Sequence, residues 1–89
     1  MRYLLIYDIP DDRIRTKVAD YCLDYGLDRV QYSAFVGRLS RGLMDELLQK
    51  IRRKIGSQAA KVMIIPIPAD AWKARIEWTQ EAPDQEPTS

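Results

Sequence analysis

Residues 2–10 read Arg-Tyr-Leu-Leu-Ile-Tyr-Asp-Ile-Pro, and the apolar side chains of this run bear most on the architecture. They occupy both parities of the run: Tyr3, Leu5 and Tyr7 on one, Leu4 and Ile6 on the other. A strand with one face in water would alternate between apolar and polar residues. The run therefore predicts a central strand that is covered on both faces and ends at Pro10.

Two helices are predicted on either side of a β-rich segment. Asp11 or Asp12 caps the first helix, which stops at Gly26 in a left-handed conformation. Its inward stripe has helical spacing and consists of Ile14, Val18, Tyr21, Cys22 and Tyr25. Ser40 caps the second helix and Gly56 closes it. The buried side of the second helix is predicted to consist of Leu43, Met44, Leu47, Leu48, Ile51 and Ile55.

The remaining segments favour strands. Residues 28–39 are rich in strand formers, which leaves two readings open: two short strands with a turn or bulge near residues 33–34, or one long bent strand. Lys61–Ile67 is apolar on both parities. Its far end is expected at a sheet edge, because the prolines there supply no amide donor. Residues 74–79 alternate and predict a short, half-buried strand.

The order β-α-β-β-α-β, followed by one extra strand, predicts an α+β domain of the ferredoxin-like class, with two helices on one face of an antiparallel sheet. The domain spans residues 1–79, and residues 80–89 form an acidic tail that we expect to be disordered. Because two strands are apolar on both faces, something must cover the face that the helices leave open. An identical sheet is the simplest cover, so we expect a homodimer through the sheet faces. The last strand extends either its own sheet or the partner's.

The composition excludes several kinds of site. The chain has 89 residues, no histidine and one cysteine, Cys22. These counts exclude Ser-His-Asp and Cys-His catalysis, histidine-ligated zinc and an internal disulfide. A bound metal would take oxygen ligands, which favours magnesium, manganese or calcium. The apolar run at residues 3–7 is too short to cross a bilayer, so we expect a cytoplasmic protein without a membrane partner.

Asp8 ends the otherwise hydrophobic first strand, on the same side as Leu4 and Ile6. Burying a lone carboxylate costs on the order of several kcal/mol unless it is paired, hydrogen-bonded or metal-bound. Two readings stay open. In one, Asp8 caps the following helix or pairs with Arg13 or Arg15. In the other, two copies of Asp8 meet across a dimer axis and hold a hard cation together with water and a substrate phosphate.

The basic residues also allow two readings. Without the three acids of the tail, residues 1–79 carry 14 basic and 10 acidic groups, a balance that permits contact with a polyanion. The set that follows Asp8 either faces water or contacts phosphates; it consists of Arg13, Arg15, Lys17 and Arg29. A second basic set lies at the end of the second helix, where cations interact favourably with the helix dipole. A phosphate backbone could use the same surface. This set consists of Lys50, Arg52, Arg53 and Lys54.

Two stretches of the chain together follow the pattern of a known family. One is Tyr7-Asp8-Ile9-Pro10-Asp11-Asp12, directly after the apolar strand, and the other is Arg29-Val30-Gln31-Tyr32-Ser33-Ala34-Phe35. With the prolines of residues 65–68 and Arg75-Ile76-Glu77, they resemble the CRISPR-associated protein two (Cas2) family over about residues 1–79. The resemblance implies a ferredoxin-like homodimer whose sheets pack together, with the last strand completing the partner's sheet.

The resemblance also implies a function. In CRISPR adaptation the dimer sits between two dimers of the Cas1 integrase and helps hold the DNA that becomes a new spacer. Many family members are also described as magnesium-dependent endonucleases on single-stranded RNA or double-stranded DNA. Asp8 is thereby implied as the catalytic and metal-binding residue, with Mg²⁺ or Mn²⁺ as cofactor. The nucleic-acid-binding set predicted from the resemblance and the basic residues consists of Tyr7, Arg13, Arg15, Lys17, Arg29, Ser33 and Phe35.

An alternative reading is a ferredoxin-like RNA-binding or regulatory module without nuclease activity. RNA-recognition domains share this topology, but their signature places glycine-aromatic pairs on the third strand. Residues 33–37, Ser-Ala-Phe-Val-Gly, do not fit that signature.

Overall fold

The computed structural model describes residues 1–82, and its order of elements is β-α-β-β-α-β followed by a short helix. The elements are β1 (Arg2–Asp8), α1 (Asp12–Asp24), β2 (Asp28–Gln31), β3 (Ala34–Arg38), α2 (Arg41–Ile55), β4 (Lys61–Ile67) and α3 (Ala69–Lys73). The four strands form one sheet in the order β2-β3-β1-β4, and every neighbouring pair is antiparallel. The predicted α+β ferredoxin-like arrangement is confirmed.

The strand positions follow from the residue patterns. β1 lies between β3 and β4, as its apolar residues on both parities predict. β4 lies at the edge of the sheet, where Pro66 needs no amide donor. Residues 28–39 form two strands joined by a turn at Tyr32 and Ser33, with an irregularity in the register between Arg29 and Gln31. The structure thus decides between the two readings of this segment in favour of a hairpin.

The predicted helix boundaries are confirmed. Asp11 caps α1, and its side chain accepts a hydrogen bond from the Ile14 amide at 2.9 Å. Ser40 caps α2 in the same way, accepting from the Leu43 amide at 3.1 Å. The predicted burial of Leu43 on α2 is wrong. Its side chain is 44% exposed. It lies in the first turn of α2, about 100° around the axis from the buried Met44, and therefore projects towards water.

The two faces of the sheet differ in what covers them. Tyr3, Leu5 and Tyr7 of β1 are buried beneath the helices. The register places the alternate residues of β1, β3 and β4 on the other face. We call this surface the open face; it consists of Arg2, Leu4, Ile6, Asp8, Ala34, Val36, Arg38, Lys61, Met63, Ile65 and Ile67. Its centre is apolar, and Met63 and Ile65 are exposed there, whereas Ala34 and Val36 are buried. Trp72 and residues 75–79 line a cleft with Leu4 and Val36, so the chain itself borders the β3 side of this face.

The predicted C-terminal strand is wrong for the single chain. Residues 69–73 form α3, which we did not predict, and residues 74–82 form no regular structure. Ile76 and Trp78 are 95% and 80% exposed instead of half-buried. A strand needs a neighbouring edge to pair with, and within residues 1–82 this segment pairs with none. The predicted disordered tail at residues 80–89 falls largely on residues 83–89, which lie outside the described residues.

None of the helices within residues 1–82 is long and apolar enough to span a membrane.

Candidate functional site

Asp8 is the last residue of β1 and lies at one end of the open face. In the ladder it stands opposite Lys61, the first residue of β4, so an acid and a base occupy neighbouring strands. The Asp8 side chain is exposed. It lines a cleft of about 600 Å³ together with Ile6, Val62 and Met63. We call this region the Asp8 end of the open face.

The capping and pairing predictions for Asp8 are wrong. Asp11, not Asp8, caps α1. Arg15 forms its ion pair with Asp12. Within residues 1–82 the Asp8 carboxylate makes no hydrogen bond and no ion pair, with Lys61 or any other residue. The carboxylate is therefore accessible to a ligand in the single chain.

Arg15 holds the loop between β1 and α1. Its Nη1 donates to the carbonyl oxygens of Ile9 at 2.8 Å and Pro10 at 3.3 Å. Its Nη2 donates to the Asp12 carboxylate, and its Nε donates to the Tyr32 hydroxyl at 3.3 Å. The hydrogen bond to Asp12 raises the pKa of Arg15, so the guanidinium keeps its charge. Because all three nitrogens have protein partners, the geometry gives Arg15 a positioning role.

Tyr32 is a candidate site residue that is absent from the set predicted in the sequence analysis. It lies in the turn between β2 and β3, and its side chain is 69% exposed. The guanidinium carbons of Arg15 and Arg29 each lie 5.7 Å from the centre of its ring. An exposed ring flanked by two cations is suited to stack on a base while attracting its phosphate. The sequence carries no signal for this exposure, because it depends on how the hairpin leaves the sheet.

Two predicted nucleic-acid-binding residues, Tyr7 and Phe35, lie in the core instead. Phe35 is fully buried and Tyr7 nearly so, and their rings stack with centroids 6.2 Å apart. Both project towards the helices, because their parity is opposite to that of Asp8. Neither ring is therefore accessible to a nucleotide in the single chain. The Phe35 ring instead supports Arg29, whose guanidinium carbon lies 5.0 Å from its centre. Burial raises the pKa of Tyr7 above its ordinary value, so its hydroxyl stays neutral at pH 7.

The other predicted residues divide between the Asp8 end and the helix surface. The Ser33 carbonyl accepts a hydrogen bond from the Tyr7 amide at 3.1 Å, which ties the hairpin turn to the end of β1. Arg13 and Lys17 are exposed on the outer surface of α1, where they line a shallow cleft of about 330 Å³. The Lys17 ammonium lies 5.6 Å from the ring centre of Tyr21 on the same helix. The structure therefore does not bring Arg13 and Lys17 together with the hairpin turn.

One chain supplies one carboxylate to the Asp8 end. Among residues 1–82, no three histidine, cysteine, aspartate or glutamate side chains come together as a metal-binding cluster. Mg²⁺ prefers near-octahedral coordination by oxygens, so Asp8 of one chain fits only part of a site. Two Asp8 carboxylates with waters and phosphate oxygens would fit. Cys22 offers no alternative nucleophile, because burial raises the pKa of its thiol to about 12.

Comparisons with known proteins agree with this fold. Residues 1–75 match the sequence profile of the family described as "CRISPR associated protein Cas2". The chain is 45% identical over 84 residues to the "CRISPR-associated endoribonuclease Cas2 2" of Chloroflexus aurantiacus, covering 94% of this chain and 99% of that protein. It is 39% identical over 67 residues to a "CRISPR-associated endonuclease Cas1/endonuclease Cas2 fusion" of Thermoproteus tenax, covering 75% of this chain and 25% of the fusion.

A solved structure shares the same architecture. The crystal structure of Streptococcus pyogenes Cas2 at pH 6.5 superposes with a TM-score of 0.76, covering 90% of this chain and 100% of that chain. The two sequences are 22% identical, so this likeness bears on the fold alone.

Proposed function

Because this chain belongs to the Cas2 family of CRISPR-associated proteins, we propose that it is a homodimeric, DNA-binding subunit of the machinery that acquires new CRISPR spacers. In this role the dimer bridges two dimers of the Cas1 integrase in the cytoplasm and holds the DNA fragment to be inserted. The relative in which Cas1 and Cas2 form one polypeptide supports a partnership with Cas1.

The observation that carries the proposal is the apolar centre of the open face. The helices cover the other face, so Ile6, Met63 and Ile65 have no cover of comparable size within residues 1–82. Exposed apolar surface of this kind is removed from water most simply by the same surface of a second copy. A dimer packed in this way would contain two Asp8 residues and two β2–β3 hairpins, each with its Arg29.

The dimer is tested by substituting one residue at the centre of the open face. Met63→Lys is expected to convert the protein to monomers, because a charge at the centre of the interface would be buried without a partner. Leu23→Lys is the matched control, because Leu23 is 51% exposed on α1 and Met63 is 58% exposed on the open face. Light scattering after size exclusion measures the mass of each variant. A wild-type monomer, or a Met63→Lys dimer as stable as the control, would contradict the proposed interface.

We further propose that paired Asp8 carboxylates give the dimer a metal-dependent nuclease activity on single-stranded RNA or double-stranded DNA. The Asp8 carboxylate is accessible at the rim of a cleft and has no ion-pair partner within residues 1–82, which supports this role. Mg²⁺, with Mn²⁺ as a substitute, would supply charge neutralisation at the phosphate and an activated water. The chain itself supplies the carboxylate, the Lys61 cation opposite it in the ladder and the Tyr32 ring of the hairpin turn.

The nuclease role is tested with labelled RNA and duplex DNA, in Mg²⁺, in Mn²⁺ and in excess chelator. Asp8→Asn removes the charge with almost no change in shape and is expected to abolish cleavage. Asp20→Asn makes the same change on the exposed surface of α1 and should leave cleavage intact. Equal cleavage by wild type and Asp8→Asn would identify a contaminating nuclease and refute the activity. If the wild type binds the nucleic acid but does not cleave it, the nuclease activity is refuted. The bridging function would remain, as expected for a nucleic-acid-binding module that is not an enzyme.

A further inference from the structure

A second charged cluster lies at the opposite end of the open face from Asp8. Arg2 is the first residue of β1 and Asp8 the last, so the two are about 20 Å apart at roughly 3.3 Å per residue. The ladder places Arg2 directly opposite Arg38, the last residue of β3. Ile67 of β4 stands on the other side of Arg2. We call this region the Arg2 end of the open face.

The pairing of two arginines is electrostatically unfavourable as it stands. Residues directly opposite each other on antiparallel strands share a face, and like charges in such a pair repel. Within residues 1–82 neither guanidinium takes part in an ion pair. Lys73 of α3 adds a third cation to the cleft of about 460 Å³ that Arg2 and Arg38 line. No acidic side chain among the described residues lines this cleft.

Trp72 of α3 provides the support for Arg2 that an acid would otherwise provide. The Arg2 guanidinium carbon lies 4.9 Å from the centre of the Trp72 ring, which is half-buried in the wall of the cleft. A guanidinium stacked on an aromatic face keeps its N–H edge available for a planar or tetrahedral anion. Arg75 also stacks on Trp72, at 3.9 Å, but its Nε donates to Glu77 at 2.7 Å, so its charge is compensated.

We propose that the Arg2 end is a phosphate-binding site that takes a phosphate group of the nucleic-acid backbone. The identity of the ligand rests on the proposed function. The existence of the site rests on the arginine pair, which has no acidic partner within residues 1–82. A phosphate accepts bidentate hydrogen bonds from guanidinium groups and neutralises the repulsion between Arg2 and Arg38. The open face then carries one site at each end of its strands, a carboxylate at the Asp8 end and a phosphate clamp at the Arg2 end, on either side of the apolar centre that we propose to pack against the second copy.

The first experiment measures the affinity of the intact protein for a fluorescein-labelled duplex DNA by anisotropy, in chelator and over a range of salt concentrations. Arg2→Gln with Arg38→Gln is expected to weaken binding by about tenfold and to lower the salt slope by about 0.9, the contribution of one phosphate contact. Arg52→Gln with Arg53→Gln is the control, because it removes the same charge from α2. The control should weaken binding less than the Arg2 and Arg38 pair does.

The second experiment uses Trp72 as a local reporter. The chain has two tryptophans, so Trp78→Phe leaves Trp72 as the sole one. Titration of this protein with tripolyphosphate is expected to give a saturable change in tryptophan fluorescence, since an anion that engages Arg2 alters its contact with the Trp72 ring. The change should disappear when Arg2→Gln and Arg38→Gln are added.

The possible outcomes distinguish a failure of the phosphate site from a failure of the proposed function. Equal losses of DNA affinity in the two double variants would overturn the proposal, and so would the absence of a Trp72 response. A changed dimer dissociation with unchanged DNA affinity would also overturn it, because the arginines would then serve the contact between copies. A wild-type protein that ignores DNA but shows the Arg2-dependent response to tripolyphosphate would overturn the DNA-binding function and leave the phosphate site in place.

Discussion

The two ends of the open face are built from the same strands but carry different charge patterns. At the Asp8 end an acid stands opposite the base Lys61, and at the Arg2 end two arginines stand opposite each other. The overall charge of +1 conceals this difference completely. Strand register, and not composition, therefore determines which kind of ligand each end of the sheet can attract.

The two ends also differ in what supports them. The Asp8 end is braced from the helix side by the Tyr7 and Phe35 rings and from the loop side by Arg15. The Arg2 end is supported by α3, a helix of five residues whose Trp72 contacts Arg2. The Asp8 end therefore depends on the core, whereas the Arg2 end depends on a few contacts at the surface.

The largest effect is expected from breaking the core support of the Asp8 end. Phe35→Ala removes a fully buried ring and should lower the free energy of unfolding by about 3–5 kcal/mol. Urea unfolding followed by circular dichroism measures the loss. Tyr32→Ala removes an exposed ring three residues away, with its contacts to Arg15 and Arg29, and should cost about 1 kcal/mol. Similar losses for the two variants would show that Phe35 does not support this end.

A smaller effect is expected from releasing the loop behind the Asp8 end. Arg15→Ala leaves the Ile9 and Pro10 carbonyls without their guanidinium donor and should cost about 1–3 kcal/mol. Arg13→Ala, on the exposed surface of the same helix, is the control. Amide hydrogen exchange of residues 9–12 should accelerate in the Arg15 variant alone. Unchanged exchange in that variant would contradict the positioning role.

Raising the pH should weaken the core beneath the Asp8 end. Burial raises the pKa of the Cys22 thiol from 9.0 to about 12, so the folded protein keeps a proton that the unfolded chain loses between these values. The stability is therefore intact below about pH 9 and falls as the pH rises towards 12, by at most about 1.4 kcal/mol per pH unit from this group. Tyr7 contributes in the same direction, because burial also raises its pKa.

Urea unfolding at several alkaline pH values measures this dependence. Cys22→Ala removes the titrating thiol, so the stability of that variant should fall less steeply with pH than that of the wild type. Parallel curves for the two proteins would show that Cys22 does not contribute.

The smallest effect distinguishes the two ends most directly. Arg38→Gln removes one member of the like-charge pair and should stabilise the ligand-free protein by about 0.2–1 kcal/mol at low salt. Asp8→Asn should change the stability by no more than about 0.5 kcal/mol, because its carboxylate is exposed and unpaired within residues 1–82. Thermal unfolding at low and high salt measures both. A destabilised Arg38 variant would contradict the electrostatic difference between the ends.

The pattern of residues predicted most of the fold. The first run that is apolar on both parities correctly placed β1 in the sheet interior, and the prolines of the second run correctly placed β4 at an edge. The caps at Asp11 and Ser40 bounded the helices, because capping depends only on residues three positions apart. The prediction of a strand at residues 74–79 was wrong, because alternation signals the capacity to pair and not the presence of a neighbouring edge.

The candidate site was predicted less completely. Asp8 was predicted as a site residue because a charged residue at the end of an apolar run can be recognised from neighbouring residues alone. Tyr7 and Phe35 were misplaced as ligand contacts, because a motif does not state which side chains face the core. Tyr32 was considered for base stacking but was expected in the core, because aromatic residues in a strand-rich segment usually pack inside; the structure exposes it instead.

The sequence by itself determined the four strands and the two long helices, their order, the apolar character of the open face and the family to which the chain belongs, since these depend on periodicity and on motifs of neighbouring residues. Only the tertiary structure decided that Asp8 faces Lys61, that Arg2 faces Arg38 and that α3 sets Trp72 against Arg2. Each of these pairs joins residues from distant parts of the chain. Their meeting depends on the register of β1 against both neighbours, which the packing of the whole sheet fixes.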